Sequence, residues 1–208
     1  MTVLLVASPR ALVEKYIKLI QGAGLTTVGV ETEVLALTRS LAPETGTVLL
    51  LDFGAVSPEV ALVKDGMVRF SRSIPTAGEA FTRALSQNLG IEYQQAEAYK
   101  KTYGLSRDLE GKIKASLAPV FNLVAEEIKK AVHFYQTEEK GEAPKSVIVS
   151  GGTSSMPEAI STLSNLLGLE VVVGNPFAKV IVDAETAKKL ADFSPLYSVA
   201  VGLALRGD

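Results

Sequence analysis

The stretch TVLLLDFG at residues 47–54 decides the fold, because four successive apolar residues stand at its centre without a polar interruption. Such a run predicts a strand that is buried on both faces of a sheet. Two more strand patterns follow at once, EVALVKDG (59–66) and MVRFSRSI (67–74), and they meet at Asp65-Gly66. Asp-Gly between two strand patterns is typical of a tight hairpin turn. Residues 47–74 therefore predict three consecutive strands, the first of them fully buried.

The rest of the chain alternates between helix and strand patterns. In order, the sequence predicts a helix (76–90), a small helical insertion (about 91–118), a long helix after Pro119, a strand (145–152), a helix that runs to Leu167, a strand (169–174) and a C-terminal helix from Ser194. Ser155 and Glu158 fit a capping box for the helix that precedes the last strand. This order indicates an α/β fold, a mixed five-stranded sheet with helices on both faces.

The first 46 residues predict a smaller, separate part. A β-branched run over Thr2–Ala7 predicts a strand, Ser8-Pro9 a helix start, and LTTVGVE (25–31) a second strand. A short helix follows, and the turn PETG (43–46) marks a predicted domain boundary.

Composition excludes several classes of protein. The 208 residues are 47 % hydrophobic and 21 % charged, which is ordinary for a soluble globular protein. A net charge of −2 without a dense Lys/Arg cluster makes nucleic acid an unexpected partner. The absence of cysteine excludes thiolate metal sites and fits a reducing compartment. No apolar run reaches the roughly 18–20 residues that span a bilayer, and MTVLLVASPR lacks the basic start of a signal peptide, so we expect a cytoplasmic protein.

The first candidate site is DFGAVS (52–57), at the end of the first predicted strand. Ligands of open α/β sheets bind beyond the carboxyl ends of the strands. There, Asp52 can orient a Mg²⁺-bound water, while Gly54 and the following amide of Ala55 can approach phosphate oxygens. A plain hairpin turn after a buried strand is the alternative interpretation.

The second candidate site is SGGTSS (150–155), at the end of a later predicted strand. Gly151 and Gly152 allow the backbone to lie close to an adenosine. Thr153 and Ser155 can bond to ribose or phosphate, or simply cap the next helix. An ordinary strand-to-helix turn is the alternative, and both interpretations can hold together.

A third candidate is the pair Glu97 and Lys100, which lie three residues apart and hence on one helix face. On spacing alone, a solvated ion pair worth a few tenths of a kcal/mol is the favoured interpretation. Neither a metal-ligand cluster nor a nucleophile beside a base is apparent in the sequence.

Motifs along the whole chain carry a family resemblance. Together, VIVSGGTSSMPE (147–158), NPF (175–177) and GLALR (202–206) resemble the type IV pilus assembly protein PilM family, whose relative FtsA is a cell-division protein. The resemblance implies an actin-like (ribonuclease H-like) fold, with ATP and Mg²⁺ between two lobes. It also implies a place beneath the inner membrane, where the family grips a cytoplasmic segment of the membrane protein PilN.

The resemblance extends to single residues. In heat-shock ATPases of the same superfamily, a pair spaced like Glu97 and Lys100 lies against adenine and ribose. Gly78 resembles the second glycine of a superfamily turn whose first glycine is replaced here by Ala77.

The resemblance also implies which part of the fold is present. Family members begin with a D-I-G-S-S-S-like phosphate loop, and a first loop at DFGAVS would need on the order of 300 residues after it, whereas about 150 follow. We therefore expect DFGAVS to be the second phosphate loop, residues 1–46 to be a remnant of the first lobe and its inserted subdomain, and residues 47–208 to be the second lobe. Each lost hydrogen bond to a charged phosphate removes about 1.5–3 kcal/mol. Weak or absent ATP binding and no useful hydrolysis are expected of this chain by itself.

The implied function is a scaffold component of a type IV pilus or secretion platform, peripheral at the inner membrane. A small-molecule kinase of the same superfamily would need an aspartate base between two lobes, and the sequence offers no candidate. An FtsA-like protein would be expected to carry a C-terminal amphipathic membrane helix, whereas this sequence ends LALRGD. An apolar surface where the first lobe packs would favour self-association.

Overall fold

The chain is described here from a computed structural model. The described residues are 5–56, 58–76, 78–106 and 111–207. They divide into two compact units, Met1–Thr32 and Glu33–Asp208.

The first unit contains one helix, α1 (Arg10–Gly22), in its described residues. The two predicted strands are not there: residues 5–7 and 25–31 have no regular structure, and residues 1–4 lie outside the described part. β-branched residues form a strand only where a neighbour supplies ladder hydrogen bonds. No strand within the described residues pairs with either segment, so local propensity does not decide the outcome here.

The second unit holds one mixed sheet. Its strands are β1 Thr47–Asp52, β2 Glu59–Lys64, β3 Met67–Ser73, β4 Ser146–Ser150 and β5 Glu170–Val173. They lie in the order β3-β2-β1-β4-β5, with β1–β2 and β2–β3 antiparallel and β1–β4 and β4–β5 parallel. The predicted five-stranded sheet is confirmed, including the hairpin turn at Asp65 and Gly66, where φ is 53° and 70°.

Helices cover both faces of this sheet, as predicted. They are α2 Glu33–Leu41, α3 Gly78–Leu89, α4 Tyr93–Tyr103, α5 Lys112–Thr137, α6 Ala159–Leu167, α7 Ala184–Leu190 and α8 Ser198–Ala204. Three 3₁₀ segments also occur in the described residues, at Gly152–Ser155, Pro176–Lys179 and Ala191–Tyr197.

Successive residues of β1 point to opposite faces of the sheet and so into two cores. Leu49 and Leu51 belong to a large core with α3, α4, α5 and α6. Val48 and Leu50 belong to a small core with α2 and β2, against which Val199 of α8 packs. The small core consists of Val34, Leu37, Ala42, Val48, Leu50, Ala61 and Val63.

Three predicted helix starts are wrong. The C-terminal helix α8 begins at Ser198, because Ser194 lies in the 3₁₀ segment Ala191–Tyr197 that precedes it. The long helix α5 begins at Lys112 and passes through Pro119, because Ile113 and Leu117 extend its buried stripe N-terminal to the proline. The capping box at Ser155 does not form: Ser155 ends a 3₁₀ segment, and α6 begins only after Glu158, which has a φ of 60°. Leu105 N donates to Pro157 O at 2.9 Å, which holds the turn before α6 against the residues after α4.

The compact unit starts earlier than the predicted boundary at 43–46. α2 contributes Val34 and Leu37 to the small core, so it packs as part of the sheet domain. The derivation of residues 1–46 from a first lobe stays a prediction.

Candidate functional site

A crevice of about 710 Å³ opens at the carboxyl ends of β1 and β4, a size typical of ligand sites. It is lined by all nine residues that the sequence predicted, which are Asp52, Gly54, Ala55, Glu97, Lys100, Gly151, Gly152, Thr153 and Ser155. The two glycine-containing loops and α4 thus meet at one place.

Asp52 lies half-buried at the end of β1 and accepts a hydrogen bond from Ser150 Oγ at 3.0 Å. Burial raises the pKa of Asp52, the Ser150 hydrogen bond lowers it in part, and the negative charge of Glu33 raises it further. The pKa of Glu59 is raised by burial and by the charges of Glu33 and Asp52. Ionisation of Asp52 is therefore energetically unfavourable here, and a nearby cation would offset that cost.

The described side chains of this crevice do not form a ligand set that could hold a metal ion by themselves. The described residues contain no group of three His, Cys, Asp or Glu side chains that could hold a metal ion. One carboxylate fits instead the indirect role predicted for Asp52, because Mg²⁺ commonly keeps several waters and takes its other ligands from phosphates.

The loop after β1 supports the start of α3. Gly78 N donates to Gly54 O at 3.1 Å, and Glu79 N donates to Ala55 O at 3.0 Å. A Cβ added at Gly78 would lie 2.9 Å from Thr153 Oγ1 and 3.0 Å from Gly54 O. Glycine at 78 is therefore needed for close packing between α3 and both predicted loops. Ser57 and Ala77 lie outside the described residues.

The two paired glycines have different surroundings. Gly151 has a φ of +83°, and a Cβ there would lie 2.6 Å from the carbonyl carbon of Phe53, so close packing of β4 against β1 requires this glycine. A Cβ on Gly152 would meet only Leu196 Cδ2, at an ordinary 3.5 Å. Of the pair, Gly152 is the one whose missing side chain leaves crevice space open.

The pair Glu97–Lys100 is not a solvated ion pair, and that favoured interpretation is wrong. Lys100 is only 8 % exposed. Its Nζ lies 2.7 Å from Glu97 Oε2 and donates to Thr82 Oγ1 at 2.9 Å and to Gly78 O at 3.2 Å. Burial raises the pKa of Glu97, but hydrogen bonds from Lys100 and Thr82 outweigh it and leave the pKa lowered.

Sequence reasoning missed the apolar side of the crevice. The residues concerned are Met156, Phe193, Pro195, Leu196 and Val199. Three of them lie in or next to the 3₁₀ segment Ala191–Tyr197, which is tied to the glycine loop because Gly151 N donates to Pro195 O at 3.2 Å. Leu196 is 57 % exposed although it is apolar. The sequence did not indicate that an exposed Leu196 lines a crevice, because Ser194-Pro195 predicted only a helix start there.

Comparison with known proteins identifies the family. The family described as type IV pilus assembly protein PilM matches residues 1–208. The chain belongs to this family. The resemblance drawn from its motifs is thereby confirmed.

Relatives of the PilM-family chain share its fold. The cell-division protein FtsA of Pseudomonas aeruginosa is 24 % identical over 221 residues, which cover 91 % of this chain and 50 % of FtsA. A solved PilM–PilN type IV pilus biogenesis complex matches with a TM-score of 0.79 and 26 % identity, over 93 % of this chain and 57 % of that one. An MreB of Spiroplasma citri bound to AMPPNP matches with a TM-score of 0.69 and 16 % identity, over 96 % and 65 %. The actin-like fold is confirmed, and the chain spans about half the length of the first two relatives.

Proposed function

We propose that the crevice holds an adenine nucleotide with Mg²⁺, and that the nucleotide acts structurally in a scaffold of type IV pilus assembly. The convergence of residues from β1, α4 and the glycine loop on one cavity of about 710 Å³ is the observation that carries this proposal. Two solved MreB structures of similar fold are bound to AMPPNP and to ADP, which supports an adenine nucleotide as the ligand class.

Each side of the crevice suits one part of such a ligand. The loop at Gly54 and Ala55 would face the phosphates, and Asp52 would hold Mg²⁺ through water. Gly152 and the exposed Leu196 offer an apolar surface for the adenosine. The bound ion would supply positive charge between Asp52 and the phosphates, which would offset the cost of ionising a buried carboxyl group.

The test is an NMR titration of the chain with millimolar Mg·AMPPNP. We expect weak binding with amide shifts at Gly54 and Gly152. Gly152→Val fills crevice space where only Leu196 is near, and is expected to abolish these shifts while the protein stays folded. Gly22→Val is the matched control, since a Cβ at Gly22 in α1 meets nothing within 4 Å, and it should bind like the parent chain.

Gly151 is not a usable probe, because its substitution would disturb β1 itself. Shifts that survive Gly152→Val, or that occur only outside the crevice, would overturn the proposed site. Micromolar affinity with turnover would overturn the structural role, because a nucleotide that is hydrolysed rapidly does not serve as a permanent part of the scaffold.

We also propose that the chain acts at the cytoplasmic face of the inner membrane with a PilN-like partner. The match to a solved PilM–PilN type IV pilus biogenesis complex supports the choice of partner. No helix among the described residues is long and apolar enough to cross a bilayer. Fluorescence titration with a labelled cytoplasmic segment of a PilN-like protein tests the pairing. Saturable binding supports it, and no binding to the folded chain would show that these 208 residues do not suffice for it.

A further inference from the structure

Lys100 has no donor left for a ligand. An ammonium group carries three N–H donors, and three acceptors surround this one: Glu97 Oε2 at 2.7 Å, Thr82 Oγ1 at 2.9 Å and Gly78 O at 3.2 Å. The hydroxyl of Thr82 in turn donates to Glu97 Oε2 at 2.5 Å. Because an unpaired buried charge is strongly unfavourable, these contacts hold the side chain in one position.

The acceptors of Lys100 lie at the start of α3, next to the loop after β1. Gly78, whose carbonyl accepts from Lys100, donates its own N–H to Gly54 O at 3.1 Å. An added Cβ at Gly78 would lie within 3.0 Å of both Gly54 O and Thr153 Oγ1, so this turn has no room to shift against either loop. A chain of direct contacts therefore leads from Lys100 through Gly78 to the loop that would face the phosphates.

Lys101, the next residue of α4, has the opposite character. Its side chain is 74 % exposed, it lines the crevice, and its Nζ lies 3.3 Å from Glu97 Oε1. An exposed ammonium can reorient toward an anion at small cost, whereas the buried one would have to break three hydrogen bonds.

We propose that Lys100 is a positioning residue that fixes the 54–55 loop through Gly78, and that Lys101 is the cation of α4 that contacts a ligand in the crevice. This inference rests on the proposed nucleotide site and reverses the predicted role of Lys100 within it. Glu97 serves both lysines, since Oε2 holds Lys100 in place and Oε1 faces Lys101.

Thr82 offers a test that does not touch the crevice lining. It is fully buried, so Thr82→Val removes the hydroxyl but keeps the shape, and Thr82→Ser keeps the hydroxyl. In the ligand-free chain, Thr82→Val should shift the amide signals of Gly54, Ala55 and Gly78, and Thr82→Ser should leave them near their original positions. Thr82→Val should also weaken Mg·ADP binding about tenfold, the loss that corresponds to one well-placed contact, and Thr82→Ser should restore the affinity.

Lysine ammonium signals identify which cation meets the ligand. In the ¹⁵N-lysine-labelled chain, assigned with Lys100→Arg and Lys101→Arg, saturation with Mg·ADP should shift the Lys101 signal and leave the Lys100 signal in place. A shifted Lys100 signal, or loop amides that do not respond to Thr82→Val, would overturn the proposal. If Mg·ADP shifts no signal, the proposed function and the role of Lys101 both fail, whereas the role of Lys100 is still decided by the ligand-free spectra.

Discussion

Asp52 makes the stability of the ligand-free protein depend on pH. Its carboxyl group is half-buried, and burial together with Glu33 keeps its pKa above the ordinary 3.8 despite the hydrogen bond from Ser150. A raised pKa means that the folded state binds a proton more readily than the unfolded state does. Stability is therefore lost as the pH rises from 3.8 through the folded-state pKa of Asp52.

Asp52→Asn should stabilise the ligand-free protein at pH 7, because the amide carries no charge and its oxygen can still accept from Ser150 Oγ. The gain should shrink as the pH falls and disappear well below pH 3.8, where the carboxyl group of the parent is protonated in both the folded and the unfolded state. Thermal unfolding followed by circular dichroism at several pH values measures this. Glu44→Gln, at an exposed position, is the control and should leave the Tm unchanged. A Tm that falls at pH 7 in Asp52→Asn would contradict the argument.

The candidate site could be predicted from the sequence where a side chain's role follows from its place on a strand or loop. Asp52 ends β1 and Gly152 comes soon after β4, and these parallel strands end at the same edge of the sheet, so their convergence is a consequence of topology. Lys100 could not be placed this way, because its burial depends on Thr82 and Gly78, which belong to another helix. Leu196 lies in a segment that is positioned by contacts with distant parts of the chain, among them Gly151 N to Pro195 O and Ser194 Oγ to Asn175 Oδ1.

At the scale of elements, the long periodic patterns predicted helices correctly, whereas the local start signals at Pro119 and Ser155 did not. Pro119 is tolerated inside α5 because it is exposed, so water can satisfy the carbonyl group left without a partner one turn earlier. The buried stripe on both sides of it sets the length of the helix. Ser155 fails as a cap because contacts of Pro157 with the residues after α4 keep residues 156–158 out of the helix. In both cases a tertiary contact overrides a signal carried by one or two residues.

Small residues at 198, 200, 202 and 204 indicate tight packing of the last helix, and the structure shows that only Ser198 and Gly202 are buried. They lie four residues apart and so share one face of α8, which packs against α2. Ser40 Oγ donates to Ser198 O at 2.8 Å across this contact. The helix backbones approach so closely that a Cβ on Gly202 would lie 1.9 Å from Ala36 O.

Gly202→Ala should therefore destabilise the protein by about 3 kcal/mol, the upper end of the range for overpacked cores. The added atom meets backbone, which cannot rotate away as a side chain could. Urea unfolding measures the change, and Ala200→Val is the control, since it adds volume at an exposed position of the same helix and should cost well under 1 kcal/mol. Equal stability of the two variants would show that α8 can shift on α2 without loss.

At the scale of the whole molecule, the described residues of Met1–Thr32 supply nothing to either hydrophobic core. The large core draws on residues between Leu49 and Val171, and the small core begins at Val34. The turn at 43–46 looked like a boundary in the sequence because it combines proline and glycine. Only the packing of α2 shows that the sheet domain extends beyond it.

Two truncated chains distinguish these boundaries. The chain of residues 33–208 should keep cooperative unfolding, with a Tm within a few degrees of the parent, because both cores stay complete.

The chain of residues 47–208 loses Val34 and Leu37, each worth about 1.5–3 kcal/mol when buried. It also exposes the apolar face of β1 at Val48 and Leu50. A domain has only about 5–15 kcal/mol of net stability, so this second chain should unfold at much lower temperature or bind a hydrophobic dye at 25 °C. Calorimetry of both chains measures the difference, and a chain of residues 47–208 as stable as the parent would instead support a domain boundary at 43–46.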